Sequence, residues 1–312
     1  MDNLDKLIDS VADTIKCAPA SMERVSPVPG LVAHCDGDGM AYLCAGKDTM
    51  PAAQARMNII RRAQKVRRLT GATKVIMHLT CPASDKGGRG FAAEFKPYQS
   101  NRGKSKKPKN WQAARDAMMM HDGRDYLVKV WNDREADDGI AYWSDVPRKR
   151  GTDTLHVIHA DDKDMRMFAG IHLNWRTFHV TTVPHGAFEV LGDDGLLYGH
   201  KWFWTQMILG DSIDNIPGLP GCGPKAAEIL DTTTDNTTAY AAVERLYRAR
   251  MGDQWHTHMA EQAVLLWMRQ DASAAIDNFL SLGVFPDEVA DAAAAIAGRV
   301  AEHRRALEAL KE

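Results

Sequence analysis

Apolar positions set the first expectations. Leu4, Ile8, Val11 and Ile15 recur at helical spacing, which predicts an amphipathic helix over 3–16. SPVPG at 26–30 ends that segment, and LVAHCD at 31–36 reads as a short buried strand. A helix with a basic face follows over 53–69, carrying Arg56, Arg61, Arg62, Lys65, Arg67 and Arg68. KVIMHLT at 74–80, YLVKVW at 126–131 and LHVIHA at 155–160 are further strand candidates, with a helix around 135–145. Trp202, Phe203 and Trp204 read as core, and PRKRG at 147–151 as a solvated loop. After Asp231 the chain turns alanine-rich and helical, and no internal repeat is visible. Strands alternating with helices predict an α/β protein with a mostly parallel central sheet flanked by helices and an α-helical C-terminal part.

Composition changes this picture little. The 312 residues are 45% hydrophobic and 26% charged with a formal net charge of -2, ordinary for a soluble globular protein and silent about nucleic acid. The N-terminus is acidic and broken by charge, unlike a signal or transit peptide, and no apolar run is long enough for a bilayer. Cys17, Cys35, Cys44, Cys81 and Cys222 form no C-x-x-C pair, so reduced thiols and a cytoplasmic setting are expected.

Local charge is more telling. Residues 86–115 hold nine Lys or Arg against the single acid Glu94, interleaved with Phe91, Phe95, Tyr98 and Trp111. Such a run is either a solvated, disordered stretch or a surface where cations track phosphates and rings stack on bases.

Acids collect where strands should end. Asp36 and Asp38 follow the first strand, Glu135, Asp137 and Asp138 the third, and Asp161, Asp162 and Asp164 the fourth. In open parallel sheets ligands bind beyond the carboxyl ends of the strands, so these groups are expected to converge. Asp211 and Asp214 form a fourth group. Solvated helix-capping acids are the plain alternative for any one group, and Asp38 and Asp161 are the expected bystanders. So many carboxylates together need cations, and oxygen-only ligands suit Mg²⁺ or Mn²⁺. A pair of such ions points to phosphodiester hydrolysis.

GDSIDNIPGLPGCGPKAA at 210–227 then needs explaining. Gly218 to Gly223 has the spacing of a P-loop, but Pro224 stands where Lys is required and Ala226 follows Lys225 in place of Ser or Thr. A helix–hairpin–helix turn fits better: Gly221 and Gly223 admit a phosphate, the next helix start offers N–H groups, and Lys225 adds charge.

Taken in order, Asp36-Gly37-Asp38, Tyr98-Gln99-Ser100-Asn101-Arg102, Glu135-Ala136-Asp137-Asp138, Asp162-Lys163-Asp164 and GDSIDNIPGLPGCGPKAA resemble the 5′-nuclease superfamily. That superfamily includes flap endonucleases and the 5′→3′ exonuclease domain of bacterial DNA polymerase I. The likeness spans about residues 30–235 and is greatest to the stand-alone 5′→3′ exonucleases of short-tailed phages. It implies a PIN-like nuclease core over 1–205, with an N-terminal helix and a helical arch at about 86–120. A helix–hairpin–helix region with C-terminal helices would occupy 206–312.

The resemblance further implies that Asp36, Glu135, Asp137 and Asp138 hold a first metal ion. Asp162, Asp164, Asp211 and Asp214 would hold the others, Mg²⁺ or Mn²⁺, with K⁺ at the hairpin turn. Tyr98 and Arg102 would handle the strand near the cut, helped by Lys96, Lys104, Lys106 and Lys107, while Gly221, Gly223 and Lys225 hold the duplex. Expected partners are double-stranded, nicked or 5′-flapped DNA, an RNA–DNA hybrid, and replication proteins, with no membrane.

Three departures stand out. Gln99 occupies the place of an expected active-site lysine, which Lys96 or Lys104 would have to supply. Asp85 is the nearest match to an Asp usual after the second strand, and Arg89 to an Arg upstream of the tyrosine. A catalytically weakened, structure-specific DNA-binding protein is therefore the alternative to an active nuclease, and a PIN-like ribonuclease a third reading. The twelve histidines carry no metal motif; His156 and His159, three apart in a strand, should face opposite ways.

Overall fold

The computed structural model describes residues 24–101, 106–152 and 154–310. The expected helix at 3–16, Cys17, Arg102 and Lys104 lie outside the described residues.

Strands β1 (Val28–Asp36), β2 (Ala72–Thr80), β3 (Leu127–Trp131), β4 (Val157–His159) and β5 (Gly170–Leu173) run parallel, and β6 (Val180–Val183) closes the edge antiparallel to β5. Their order across the sheet is β3-β2-β1-β4-β5-β6. Strand order therefore reverses between β1 and β4, the place where an open α/β sheet has a crevice. A small hairpin, β7 (Val190–Leu191) with β8 (Leu197–Tyr198), follows.

Alternation along the strands divides the core in two. Leu31, Ala33 and Cys35 of β1 and Val75, Met77 and Leu79 of β2 face one side. There they pack on α1 (Gly37–Ala45), α2 (Ala52–Thr70) and, later in the chain, Ala114 and Met118. The basic face of α2 points outward at Arg56, Arg61 and Arg68, as its pattern requires. Beyond the short α3 (Arg89–Ala92) comes α4 (Trp111–Met119), and after β3 the helix α5 (Ala136–Lys149) crosses the opposite face of the sheet.

That opposite face carries the larger core. Ile140 and Ile158 meet Phe203, Trp204, Met207 and Ile208 of α6 (His200–Leu209) there. A turn and the short α7 (Pro224–Ala227) lead on to α8 (Asn236–Met251), α9 (Trp255–Leu266) and α10 (Asp287–Ala309). In α9 every residue from His258 to Leu266 is buried, so this helix is the centre of the second core.

One predicted loop is helical. PRKRG begins inside α5, which runs through Pro147 to Lys149. Asp145 fixes that last turn, accepting from Arg148 at 2.7 Å and pairing with Lys149 at 3.2 Å. Arg148, Lys149 and Arg150 are exposed, as expected. Among the described residues no helix is long and apolar enough to cross a membrane.

Candidate metal centre

Asp36 is the last residue of β1 and caps α1, accepting from the Gly39 amide at 2.9 Å. Glu135, Asp137 and Asp138 come from the start of α5, which the Ala136 amide pins to Thr80 at the end of β2 by a 2.9 Å bond. Oxygens of these three acids lie within 4.8 Å of one another. Asp162 and Asp164 follow β4, where the Asp162 carboxylate accepts from the Asp164 amide at 2.8 Å. Asp211 sits in a tight loop closed by a bridge to Ile216.

Electrostatics shows that these acids share one pocket. Burial and then the Asp38 and Asp162 charges push Asp36 from the usual 3.8 up to about 7. Burial, Asp138, Glu135 and Asp162 raise Asp137 well above the carboxylate range. Burial, Asp162 and Asp211 do the same for Asp164. Asp162, raised chiefly by burial, also feels Asp214 and Asp211, and Glu135, raised for the same reason, feels Asp214. Acids at the end of β1, at the start of α5, after β4 and in the 211–214 loop are thus linked group to group.

Tyr98 joins two of the groups. Its hydroxyl lies 2.8 Å from both Glu135 Oε2 and Asp214 Oδ2, and accepts from Gln99 Nε2 at 3.0 Å. The single hydroxyl proton can be donated to only one of these carboxylates, so the second contact needs a proton on the acid itself or a cation beside it. The donor set is all oxygen, mutually repelling and raised in pKa by its own crowding. It fits a hard divalent ion.

Not every predicted ligand is equally free. Each oxygen of Asp138 accepts twice: Oδ1 from Arg89 Nη2 at 2.8 Å and the Arg269 amide at 2.9 Å, Oδ2 from Arg89 Nη1 at 2.7 Å and the Glu135 amide at 3.0 Å. Against the opposing push of burial, Arg89 holds Asp138 below the usual range. Asp138 is therefore placed as the anchor of Arg89 and of the helix start. Asp85 is turned to the C-terminal helix, pairing with Arg304 at 2.6 Å. Asp38 pairs with Arg115, and Asp161 with Arg176, so the two expected bystanders have other partners.

Two polar groups escaped the sequence. Gln206 donates to Asp164 at 2.5 Å, and Lys163 pairs with Asp211 at 2.8 Å. Gln206 was detectable as the amide among the buried apolar residues Phe203, Trp204, Met207 and Ile208 of α6. Lys163 has no such mark.

Around the centre, Gly221, Gly223 and Lys225 stand exposed, with Gly221 in the left-handed region at φ 71°. The helix after this turn is a single turn, Pro224–Ala227, continued by a 3-10 turn over Glu228–Leu230. Lys96 and Lys106 are exposed, while Lys107 lies 3.5 Å over the Trp111 ring.

Comparison with solved structures decides the fold. The chain superposes on the 5′-exonuclease of bacteriophage T5 with bound zinc at a TM-score of 0.57 and 14% identity, covering 86% of this chain and 99% of that one. It shares the fold of that exonuclease. A flap endonuclease of bacteriophage T5, in a complex with DNA and metal ions, matches at a TM-score of 0.56 and 12% identity, over 86% of this chain and 98% of that one. In sequence, DNA polymerase I of Rhizobium leguminosarum is 31% identical over 118 residues, which is 36% of this chain and 11% of the polymerase. The chain thus matches about a tenth of that relative's length. No family model matches. Within this fold, Asp36 after β1 and Asp162 after β4 meet at the β1/β4 reversal.

Proposed function

We propose that the protein is a metal-dependent 5′→3′ exodeoxyribonuclease that also cuts 5′ flaps and the RNA strand of hybrids. The observation that carries this reading is the convergence of Asp36, Glu135, Asp137, Asp162, Asp164, Asp211 and Asp214 on one crevice. When bound there, paired Mg²⁺ or Mn²⁺ ions would supply an activated water and neutralise charge on the phosphodiester. Asp36, Glu135 and Asp137 would hold one ion, and Asp162, Asp164, Asp211 and Asp214 the other.

The chain's own residues do the rest. Tyr98 fixes Glu135 against Asp214, Gln206 and Lys163 orient Asp164 and Asp211, and Arg89 with Asp138 locks the start of α5. Water adds to phosphorus, the P–O3′ bond breaks, and the 3′ oxygen takes up a proton, leaving a 5′-phosphate. The exposed Gly221–Lys225 turn, with K⁺ as a further ligand, and the lysines of the basic segment, Lys96, Lys104, Lys106 and Lys107 with Arg102, grip the duplex and the flap. The two T5 neighbours, described as an exonuclease and as a flap endonuclease with DNA, support the same reading. The four free cysteines among the described residues suit a reducing cytoplasm, and the work would be primer removal or recombination in phage DNA replication.

The test is a 5′-labelled panel of blunt, nicked, flapped and hybrid duplexes with Mg²⁺. Short products should appear, and vanish with chelator or with Asp164→Ala. Salt-sensitive binding without cleavage at any divalent ion would instead establish the weakened, DNA-binding protein.

A further inference from the structure

Among the described residues, two cations at the carboxylate pocket are already committed. Arg89 is spent on Asp138 and Lys163 on Asp211. Lys96 is exposed. Lys86 differs from all of these. Its ammonium donates to the side-chain oxygen of Gln99 and, among the described residues, to no carboxylate. The same Gln99 amide turns its nitrogen to Tyr98 Oη at 3.0 Å and Glu135 Oε1 at 3.3 Å. Lys86 is therefore one neutral side chain away from a metal ligand, with its charge uncancelled.

The backbone is built to hold it there. Lys86 and Gln99 both adopt left-handed conformations, φ 56° and 53°, and so does Asn215 beside them at 60°. Strain of this kind persists only where surrounding structure enforces it, and it gathers at working sites. The enforcement is visible. The Lys86 amide donates to Ser84 Oγ at 3.1 Å and its carbonyl accepts from Arg89 at 3.3 Å. The Gln99 amide donates to the Asp214 carbonyl at 2.8 Å, and Asn215 Nδ2 to the Pro97 carbonyl at 2.7 Å. Two residues 13 apart in sequence are thus fixed so that one end of a glutamine holds an ammonium and the other holds a catalytic carboxylate.

We propose that Lys86 supplies the ammonium that contacts the scissile phosphate, with Gln99 holding that ammonium at the pocket until DNA arrives. This inference rests on the nuclease reading above. An incoming phosphodiester adds negative charge beside many carboxylates, and a lysine bound only to a neutral amide can transfer to it without breaking an ion pair.

Single-turnover cleavage of 5′-labelled duplex with Mg²⁺ separates the possibilities. Removal of one preorganised donor to a reacting phosphate should slow Lys86→Ala about 100-fold. Lys86→Arg should keep part of the rate, and adding Gln99→Lys to Lys86→Ala should restore at least tenfold of it. In equilibrium binding with Ca²⁺, the slope of log affinity against log salt should fall by about 0.9 in Lys86→Ala, as for one lost phosphate contact. An active parent with Lys86→Ala within about threefold of it, or an unchanged salt slope, overturns the role of Lys86 alone. A loss that neither Lys86→Arg nor Gln99→Lys repairs overturns it too, as a purely structural effect. A parent inactive with both Mg²⁺ and Mn²⁺ sinks the nuclease reading and this inference with it.

Discussion

Arg89 grips Asp138 with both guanidinium nitrogens, at 2.7 and 2.8 Å, and neither side chain reaches solvent. The same guanidinium donates to the carbonyls of Leu265 and Trp267, at 3.1 and 3.3 Å, so the pair ties the start of α5 to the end of α9. Removing one partner strands a buried charge. Arg89→Ala should cost about 3–5 kcal/mol of stability, read from urea unfolding. A loss under about 1 kcal/mol would mean that the pair is not buried as described.

Crowding of the acids sets the response to metal and pH. A carboxyl whose folded pKa is raised holds its proton longer when folded, so its stabilising contribution is full below the unfolded value and is lost as pH rises through the folded one. For Asp36 that window runs from 3.8 to about 7. Metal-free protein should therefore lose melting temperature across this range, and Mg²⁺ at neutral pH should restore it. Asp137→Asn removes a carboxyl whose ionisation the crowded pocket opposes and should raise the melting temperature of the metal-free form at neutral pH. It should also diminish the gain on adding Mg²⁺, in parallel thermal melts.

Much of this pocket was legible before folding, because its signals are local. Strand ends mark where Asp36, Glu135 and Asp162 emerge, and β1, β2, β3 and β4 lie within a few residues of their expected spans. The short β5 and β6 were not visible, since four-residue strands leave too little alternation to read. Partners far apart in the chain were equally hidden. Nothing near Asp85 announces Arg304, and nothing near Lys86 announces Gln99. Such pairs depend on how α10 and the 86–101 segment pack, which spacing does not encode.

Across the other face of the sheet runs a row of imidazoles. Trp131 Nε1 donates to His78 Nδ1 at 3.0 Å, and an indole can only donate. His78 must then donate from Nε2 to His34 Nδ1 at 3.0 Å, and His34 Nε2 to His156 Nδ1 at 2.9 Å. On the opposite face His159 donates from Nδ1 to the Leu173 carbonyl and accepts from Arg62, as the placement of 156 and 159 on opposite sides anticipated. Burial pulls His78 and His159 from 6.5 down to about 3. A lowered folded pKa gives a contribution that is full above 6.5 and lost as pH falls toward 3. By NMR, neither ring should titrate between about pH 5 and 8, where an unperturbed imidazole does. Trp131→Phe leaves His78 Nδ1 without its donor and should cost about 1–3 kcal/mol at neutral pH.

Tyr98 gives the sharpest separation of chemistry from binding. Its hydroxyl lies 2.8 Å from both the Glu135 and the Asp214 carboxylates, and burial first, then Glu135, keep it protonated by pushing its pKa well up. Tyr98→Phe keeps the ring and its packing but removes the hydroxyl that bridges the two acids, so repulsion between them grows and the geometry for metal loosens. The Gly221–Lys225 turn proposed above to hold the duplex lies elsewhere in the sequence and is untouched. Tyr98→Phe should therefore raise the Mg²⁺ needed for half-maximal cleavage about 10–100-fold, as loss of a supporting contact to metal ligands does, while DNA affinity changes little. Titrating Mg²⁺ in single-turnover cleavage, beside a binding isotherm on the same duplex, checks both halves. An unchanged Mg²⁺ requirement would show that the hydroxyl does not organise the two carboxylates.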